Sequence, residues 1–329
     1  MTPDTLNKHS ERHRPSRRSF NCIAVLKGGS SLERDVSLRS GAAVAGALGA
    51  AGYEVIEIDV TGSEVVLTGN PDAVFIALHG EFGEDGGVQR ALERVGKPYT
   101  GSGPEASAAA FDKLVTKRIL KESGISTPAH HVMRRGDTPE QDLPVVVKPI
   151  RQGSSIGVHI VRRSEDWEAA VADTLKYGDE FLAEQYIDGR EITVGIVGDE
   201  PLPPVEIVVP DGWYDYTAKY SSPGTQYVVP ASLEAEQAEQ CRESAMRTFR
   251  ALGCRGFGRV DMRVDRNGTV HVLELNSIPG FTETSLLPKA ARYSGIEFPE
   301  LCARIVELAC TDEAASVWVC GACRVWGIE

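Results

Sequence analysis

Asp261, Glu274 and Asn276 are the residues whose types and spacing best suit chemistry. They lie in the run from Gly258 to Asn276, where Asn267-Gly268 predicts a tight hairpin, because both central positions of the favoured two-residue turn need φ > 0. Closing the turn there pairs Arg266 with Thr269, and counting back brings Asp261 opposite Glu274 and Arg259 opposite Asn276. Strand alternation puts these four on one face and sends Val260, Met262, Val264, Leu273 and Leu275 to the other, apolar one. Two directly opposed carboxylates repel unless a cation or a proton lies between them. A hard divalent ion such as Mg²⁺, which takes oxygen ligands and shares them with substrate phosphates, fits an Asp, Glu and Asn set. The other reading of the same residues is the solvated charged face of a half-exposed hairpin.

Lys148 ends an apolar run and is followed by Gly153-Ser154-Ser155-Ile156-Gly157, and then by a second short apolar run, Val158 to Val161. A loop between two strands has no helix N-terminus to offer an anion, so its own N–H groups and hydroxyls must serve. It reads as a hinged flap over phosphate, against the plainer reading of a glycine turn. From Trp213 to Pro230 runs a long segment without periodicity that carries five aromatic residues, the composition of a lid.

The elements that must position these groups follow an α/β order. Ile23 to Leu26 reads as a strand, Gly28 to Ser31 as a glycine turn and Ser37 to Ala51 as a helix. Tyr53 to Val60 and Ala73 to Leu78 read as two further strands, the last followed by the glycine-rich run His79 to Gly87. Strands alternating with helices predict a parallel sheet with its ligands at the carboxyl ends of the strands. A helix is expected from about Ala106 to Ser123 with Lys113 on it, then strands at Pro144 to Lys148, Phe181 to Ile187 and Arg190 to Val197, and a helix from Leu233 to Leu252.

The 329 residues, 42% hydrophobic, suffice for two or three domains. A net charge of -12 argues against nucleic acid and anionic membrane surfaces, which need a basic footprint. No eighteen-residue apolar run and no secretory signal is present, so a cytoplasmic protein with reduced thiols is expected. Cys320 and Cys323, with Cys310 upstream, are at most half of a zinc site. The first twenty residues are basic, almost without apolar side chains, and expected to be disordered.

Six motifs in order carry a resemblance that covers nearly the whole chain: Gly28 to Ser37, His79 to Gly86, Tyr99 to Gly103, Lys148 to Ser155, Tyr216 to Tyr220, and Gly258 to Leu286. Together they resemble the D-alanine–D-alanine ligases of the ATP-grasp superfamily. The resemblance implies an α/β fold of three domains: an N-terminal parallel, Rossmann-like α/β unit (21–103), and central (104–187) and C-terminal (188–311) α+β units sandwiching ATP. Tails at 1–20 and 312–329 flank them. It further implies ligation of two D-alanines through a D-alanyl phosphate, for peptidoglycan precursors, by a homodimer.

By that resemblance Lys113 and Lys148 meet the phosphates of ATP, Ser154, Ser155 and Lys219 also bind ATP, Glu184, Gln185, Tyr186 and Ile187 meet the adenine, and Glu191 the ribose. Asp261, Glu274 and Asn276 hold two Mg²⁺ or Mn²⁺ ions. Arg259 and the N–H of Gly280 face the oxyanion, and Glu33 and His79 the first substrate. Ser285 and Leu286 seat the second substrate's carboxylate, and Ser154, Tyr220 and Glu33 join to position the lid. Tyr220 favours an amine over D-lactate as the nucleophile. The chain departs from the family pattern at Arg90, Gln185, Ser277 and Phe281, none of which removes a group that the chemistry needs. Other readings are a non-catalytic relative that only binds nucleotide or dipeptide, and a ligase taking another D-amino acid or D-lactate second.

Overall fold

The computed structural model describes residues 20–138, 142–209 and 224–309. Residues 1–19 of the expected disordered tail, the core of the lid with Lys219 and Tyr220, and the cysteines at 310, 320 and 323 lie outside them, whereas Phe20, expected in that tail, packs against the first core.

The chain begins as the alternation predicts, with β1 (Cys22–Gly28), α1 (Arg34–Ala50), β2 (Glu54–Val60) and β3 (Ala73–Ile76). They form a parallel sheet in the order β2-β1-β3. Ile23 to Leu26 are fully buried, as expected of a central parallel strand covered on both faces. Both glycine-rich loops leave the carboxyl ends of β1 and β3, and α2 (Gly87–Arg94) follows the second.

The single helix expected over 106–123 is two, α3 (Pro104–Phe111) and α4 (Lys113–Glu122). Asp112 breaks it by adopting an extended backbone, with its carboxylate accepting the N–H groups of Leu114 and Val115. An Asp gains more as an N-cap than it does inside a helix, and this one starts the new helix at Lys113.

A four-stranded antiparallel sheet follows, built from β4 (His130–Arg134), β5 (Val145–Pro149), β6 (His159–Val161) and β7 (Glu180–Gln185) in the order β4-β7-β5-β6. The helix α5 (Trp167–Thr174) covers one face, and Trp167 packs edge-on against Phe181 at 6.0 Å.

The last sheet contains β8 (Gly189–Val197), β9 (Glu200–Pro201), β10 (Val205–Val208), β11 (Gln226–Val228), β12 (Phe257–Asp265) and β13 (Val270–Asn276). Its order is β11-β10-β8-β12-β13, with β9 on β8. Residues 226–228, assigned to the lid on composition, are therefore a strand, paired with β10. The helix α6 (Ala235–Ala251), together with α3 and α4, shares a core with the inner face of this sheet through Ala110, Leu120, Phe249, Val260 and Met262. Finally α7 (Leu286–Tyr293) and α8 (Phe298–Glu307) pack with α1 and the first sheet. The rings of Phe75, Phe257, Phe281 and Phe298 join there, at centroid distances of 5.6–6.1 Å.

The hairpin reaches the expected pairing at the chemical end by a different route. Arg259 faces Asn276 and Asp261 faces Glu274, but Val264 faces Val270 and Met262 faces Val272. Nearer the tip the turn takes three residues, because Asp265 accepts Gly268 N–H and donates to Thr269 O, each at 3.0 Å. A β-bulge at Leu273 restores the register between Met262 and Asp261. Leu273 is consequently not on the apolar face, as simple alternation placed it; Val272 is, fully buried, while Leu273 turns toward the cleft.

Candidate active site

Two adjoining cavities lie between the three sheets. The larger, about 600 Å³, is walled by the loop before α1, the end of β3, the tip of the 153–157 flap, the chemical end of the hairpin and the start of α7. The smaller, about 70 Å³, lies between the four- and six-stranded sheets. Lys113, Gln152 and Glu274 line both.

Every site residue named from sequence lines one cavity or the other, apart from Lys219 and Tyr220, which lie outside the described residues. Glu33, His79, Ser154, Arg259, Asn276, Gly280, Ser285 and Leu286 face the larger. Lys148, Ser155, Glu184, Gln185, Tyr186, Ile187, Glu191 and Asp261 face the smaller.

Charge in the smaller cavity is balanced pair by pair. Glu184 is almost wholly buried, with Lys148 Nζ at 2.7 Å and Lys117 Nζ at 2.9 Å. Burial alone would raise its pKa, but the two ammonium groups outweigh it and hold the carboxyl below its usual range. Burial also pushes Lys117 down to about 8 against the pull of Glu184. Arg259 forms a two-point pair with Asp261, at 2.8 and 2.7 Å, and Thr193 Oγ1 donates to the same carboxylate at 2.6 Å. Glu274 has Lys113 Nζ at 3.4 Å, and that amine also donates to Gln152 O at 2.6 Å.

The flap reaches across the larger cavity. Ser154 and Ser155 both have positive φ, 50° and 57°, strained for residues with a Cβ and typical of a loop held for function. A Cβ on Gly153 would come within 2.8 Å of the Glu33 carboxylate, so any larger residue there would push that side chain aside. The Ser154 hydroxyl donates to Glu33 Oε1. Glu33 precedes α1, and its side chain makes no capping hydrogen bond to that helix.

His79 is buried beside Glu84, its Nδ1 3.0 Å from the Ile278 carbonyl and 3.4 Å from Glu84 Oε1. A carbonyl only accepts, so Nδ1 carries the proton. Burial opposes a second proton on the ring, but Glu84 and Glu33 outweigh it and raise the imidazole pKa; burial raises Glu84 as well. Ser40 accepts Phe281 N–H at 3.1 Å and lies 3.3 Å from His79 Nε2, so α1 ties His79 to the loop carrying Gly280. Ser285 opens α7, and its hydroxyl turns back to accept Thr282 N–H at 3.0 Å.

Family models described as the D-ala D-ala ligase N-terminus and C-terminus match residues 62–102 and 119–307. The D-alanine–D-alanine ligase of Desulforudis audaxviator is 48% identical over 300 residues, 87% of this chain and 98% of that protein. The chain belongs to the D-alanine–D-alanine ligase family. The ligase of Syntrophotalea carbinolica is 47% identical over 290 residues, 86% of this chain and 94% of that one. Among solved structures, the D-alanine–D-alanine ligase of Bacillus anthracis complexed with ATP is 31% identical with a TM-score of 0.74, covering 88% of this chain and 97% of that one. The ligase of Coxiella burnetii gives a TM-score of 0.79 at 26% identity, over 93% and 99%. The fold is that of the ATP-grasp ligases, with one parallel and two antiparallel sheets.

Within this ligase-family frame the donor set suits a hard divalent ion. Asp261 and Glu274 are opposed across β12 and β13, both face the cleft, and Asn276 adds an amide oxygen. Among the described residues no cluster of three His, Cys, Asp or Glu side chains is placed to hold a metal. A site with two carboxylates and one amide fits an ion that takes its other ligands from phosphate and water.

Sequence reasoning missed Lys117, Glu84, Ser40 and Arg263. Lys117 stands four residues after Lys113, on the same helix face, a spacing that could have flagged it. Arg263 follows Asp261 by two on a strand and so shares its face. Glu84 stands five residues after His79 in the same glycine-rich loop, a proximity that could have flagged it, whereas Ser40 carries no local signal, since its partners Phe281 and His79 are distant in sequence.

Proposed function

We propose that this chain joins two D-alanine molecules to D-alanyl-D-alanine at the expense of ATP, releasing ADP and phosphate. The observation that carries the reading is that Asp261, Glu274 and Arg259 stand together where the two cavities meet, with a lysine from α4 between them and the flap. Residues 21–103, 104–187 and 188–311 are read as the units enclosing the nucleotide, with the adenine along Glu184 to Ile187 and the ribose at Glu191.

Asp261, Glu274 and Asn276 would hold the magnesium ions, which when bound neutralise charge on the β- and γ-phosphates. Lys113, Lys148, Ser154, Ser155 and Lys219 would hold the phosphates. The first D-alanine places its ammonium toward Glu33 and His79, and its carboxylate oxygen attacks the γ-phosphorus, giving D-alanyl phosphate and ADP. The amine of the second D-alanine, its carboxylate at Ser285 and Leu286, attacks the acyl carbon. Phosphate leaves with the carbon–oxygen bond electrons, and the amine loses a proton. Arg259 and the Gly280 N–H stabilise the oxyanion formed between these events, where donors already fixed in place act most strongly. Tyr220 and Ser154 would hold the lid over Glu33 and exclude water from the acyl phosphate. The enzyme is read as a cytoplasmic homodimer that takes small molecules and neither nucleic acid nor membrane; no described helix is long and apolar enough to cross a bilayer.

The test is phosphate release from ATP and Mg²⁺ with D-alanine, L-alanine, or D-alanine paired with D-lactate. Turnover with D-alanine alone is expected. Turnover with L-alanine but not D-alanine would overturn the reading.

A further inference from the structure

Arg263 is 7% exposed, lines the smaller cavity and has no part in the chemistry above. It stands two residues beyond Asp261 on β12, and the register with β8 sets it directly opposite Glu191. Its Nη1 donates to Glu191 Oε2 at 3.2 Å and its Nη2 to Gly189 O at 2.7 Å. The third side of the fork, Nε, is buried and finds no hydrogen-bond partner among the described residues. The guanidinium carbon lies 5.4 Å from the Tyr186 ring centroid, a ring that Arg162 also approaches, at 5.2 Å. One guanidinium therefore touches the side chains assigned to the sugar and to the edge of the base.

From this geometry we propose that Arg263 is the positioning residue that makes the nucleotide site select ribose over deoxyribose, by fixing the Glu191 carboxylate toward the two sugar hydroxyls. A carboxylate only accepts, and a vicinal diol brings two O–H donors, so the match needs the carboxylate held in one orientation. A planar guanidinium anchored at Gly189 supplies that hold where a flexible ammonium would not. The anchor is itself tightly placed, since a Cβ on Gly189 would meet Val264 O at 2.0 Å. The inference rests on the reading of Glu191 as the ribose residue.

The test measures the Kd of ADP, 2′-deoxy-ADP and 3′-deoxy-ADP with Mg²⁺ by calorimetry, on the full chain and on Arg263→Met, Arg263→Lys and Glu191→Gln. Removing one partner of a buried ion pair leaves the other charge uncompensated and is often strongly destabilising, so melting curves report whether Arg263→Met folds. The unaltered chain is expected to prefer ADP over either deoxy form by roughly tenfold or more, as a site built to bind a hydroxyl does. In Arg263→Met the Kd for ADP should rise about tenfold while the deoxy values barely move, so the preference collapses. An equal weakening of all three ligands, or an unchanged preference, would mean that Arg263 only packs, and would overturn the proposal. Should Arg263→Met not fold, Arg263→Lys is judged by the same ratio. Loss of preference in Glu191→Gln but not in the Arg263 variants removes Arg263 alone. An unchanged preference in Glu191→Gln removes the ribose reading and this inference with it.

Discussion

The β12–β13 hairpin carries acidic side chains at both ends, and the two ends use them differently. At the chemical end Asp261 is held by Arg259 and Thr193, and Glu274 by Lys113, all facing a cleft. At the tip, Asp265 is half-buried beside His271 and accepts the N–H groups of Asn267 and Thr269 at 2.8 and 2.9 Å. Like residue types thus face a cleft at one end and hold a turn at the other. The bulge at Leu273 separates the two, so the register at Asp261 does not depend on the length of the turn alone.

The largest effect is expected at Glu274. Glu274→Gln keeps the shape and removes the charge needed to hold a divalent ion. Turnover should fall by on the order of 10³-fold or more, with the melting temperature nearly unchanged. Near-normal turnover would take Glu274 out of the proposed metal site and reduce the chemical end to another solvated charged face. Next comes Arg259→Lys, which keeps one positive charge but loses the two-point contact with Asp261. A fall in kcat of about 10²–10³-fold is expected, the size seen for loss of one oxyanion donor. A rise in KM for ATP at unchanged kcat would instead assign Arg259 to nucleotide binding.

The comparison also shows what could be read without coordinates. The opposed carboxylates were legible because strand alternation and an Asn-Gly turn are local rules. The route to that pairing was not, since a three-residue turn and a compensating bulge at Leu273 give the same pairs at Asp261 as a two-residue turn with none. The parallel first sheet and the strand-to-strand flap followed from apolar runs and glycine spacing. The break at Asp112 was hidden because the flanking residues form good helices, and it shows only when Lys113 N–H is found bonded to Ile150 O instead of to the preceding turn. His79 could be named, but not its tautomer, which depends on a carbonyl 199 residues away.

A smaller effect separates bulge from register. Deleting Leu273 leaves Val272 followed by Glu274, and plain alternation then keeps Val272 inside and Glu274 on the cleft face. The opposed pair survives while the apolar side chain facing the smaller cavity is lost. Burial of a leucine is worth about 1.5–3 kcal/mol, so the KM for ATP should rise roughly tenfold or somewhat more while D-alanine still turns over. Complete loss of activity would show that the bulge itself, through the local twist it adds, sets the geometry of Asp261 and Glu274.

The smallest effect belongs to the tip. The Asp265 carboxyl is held below its usual range first by Thr269 N–H, with His271 and Asn267 N–H adding to it. A depressed carboxyl contributes stability above its unfolded pKa, near the ordinary value of 3.8, and loses that contribution as pH falls through the folded value. Asp265→Ala should therefore lower the melting temperature by only about 1–2 °C at neutral pH. The difference from the unaltered chain should hold down to about pH 4 and shrink in more acid solution. Because the bulge lies between Asp265 and Asp261, turnover should not change beyond the scatter of the assay. A drop in kcat like that of Arg259→Lys would mean that the turn transmits its geometry past Leu273, and the two ends of the hairpin would then have to be treated as one unit.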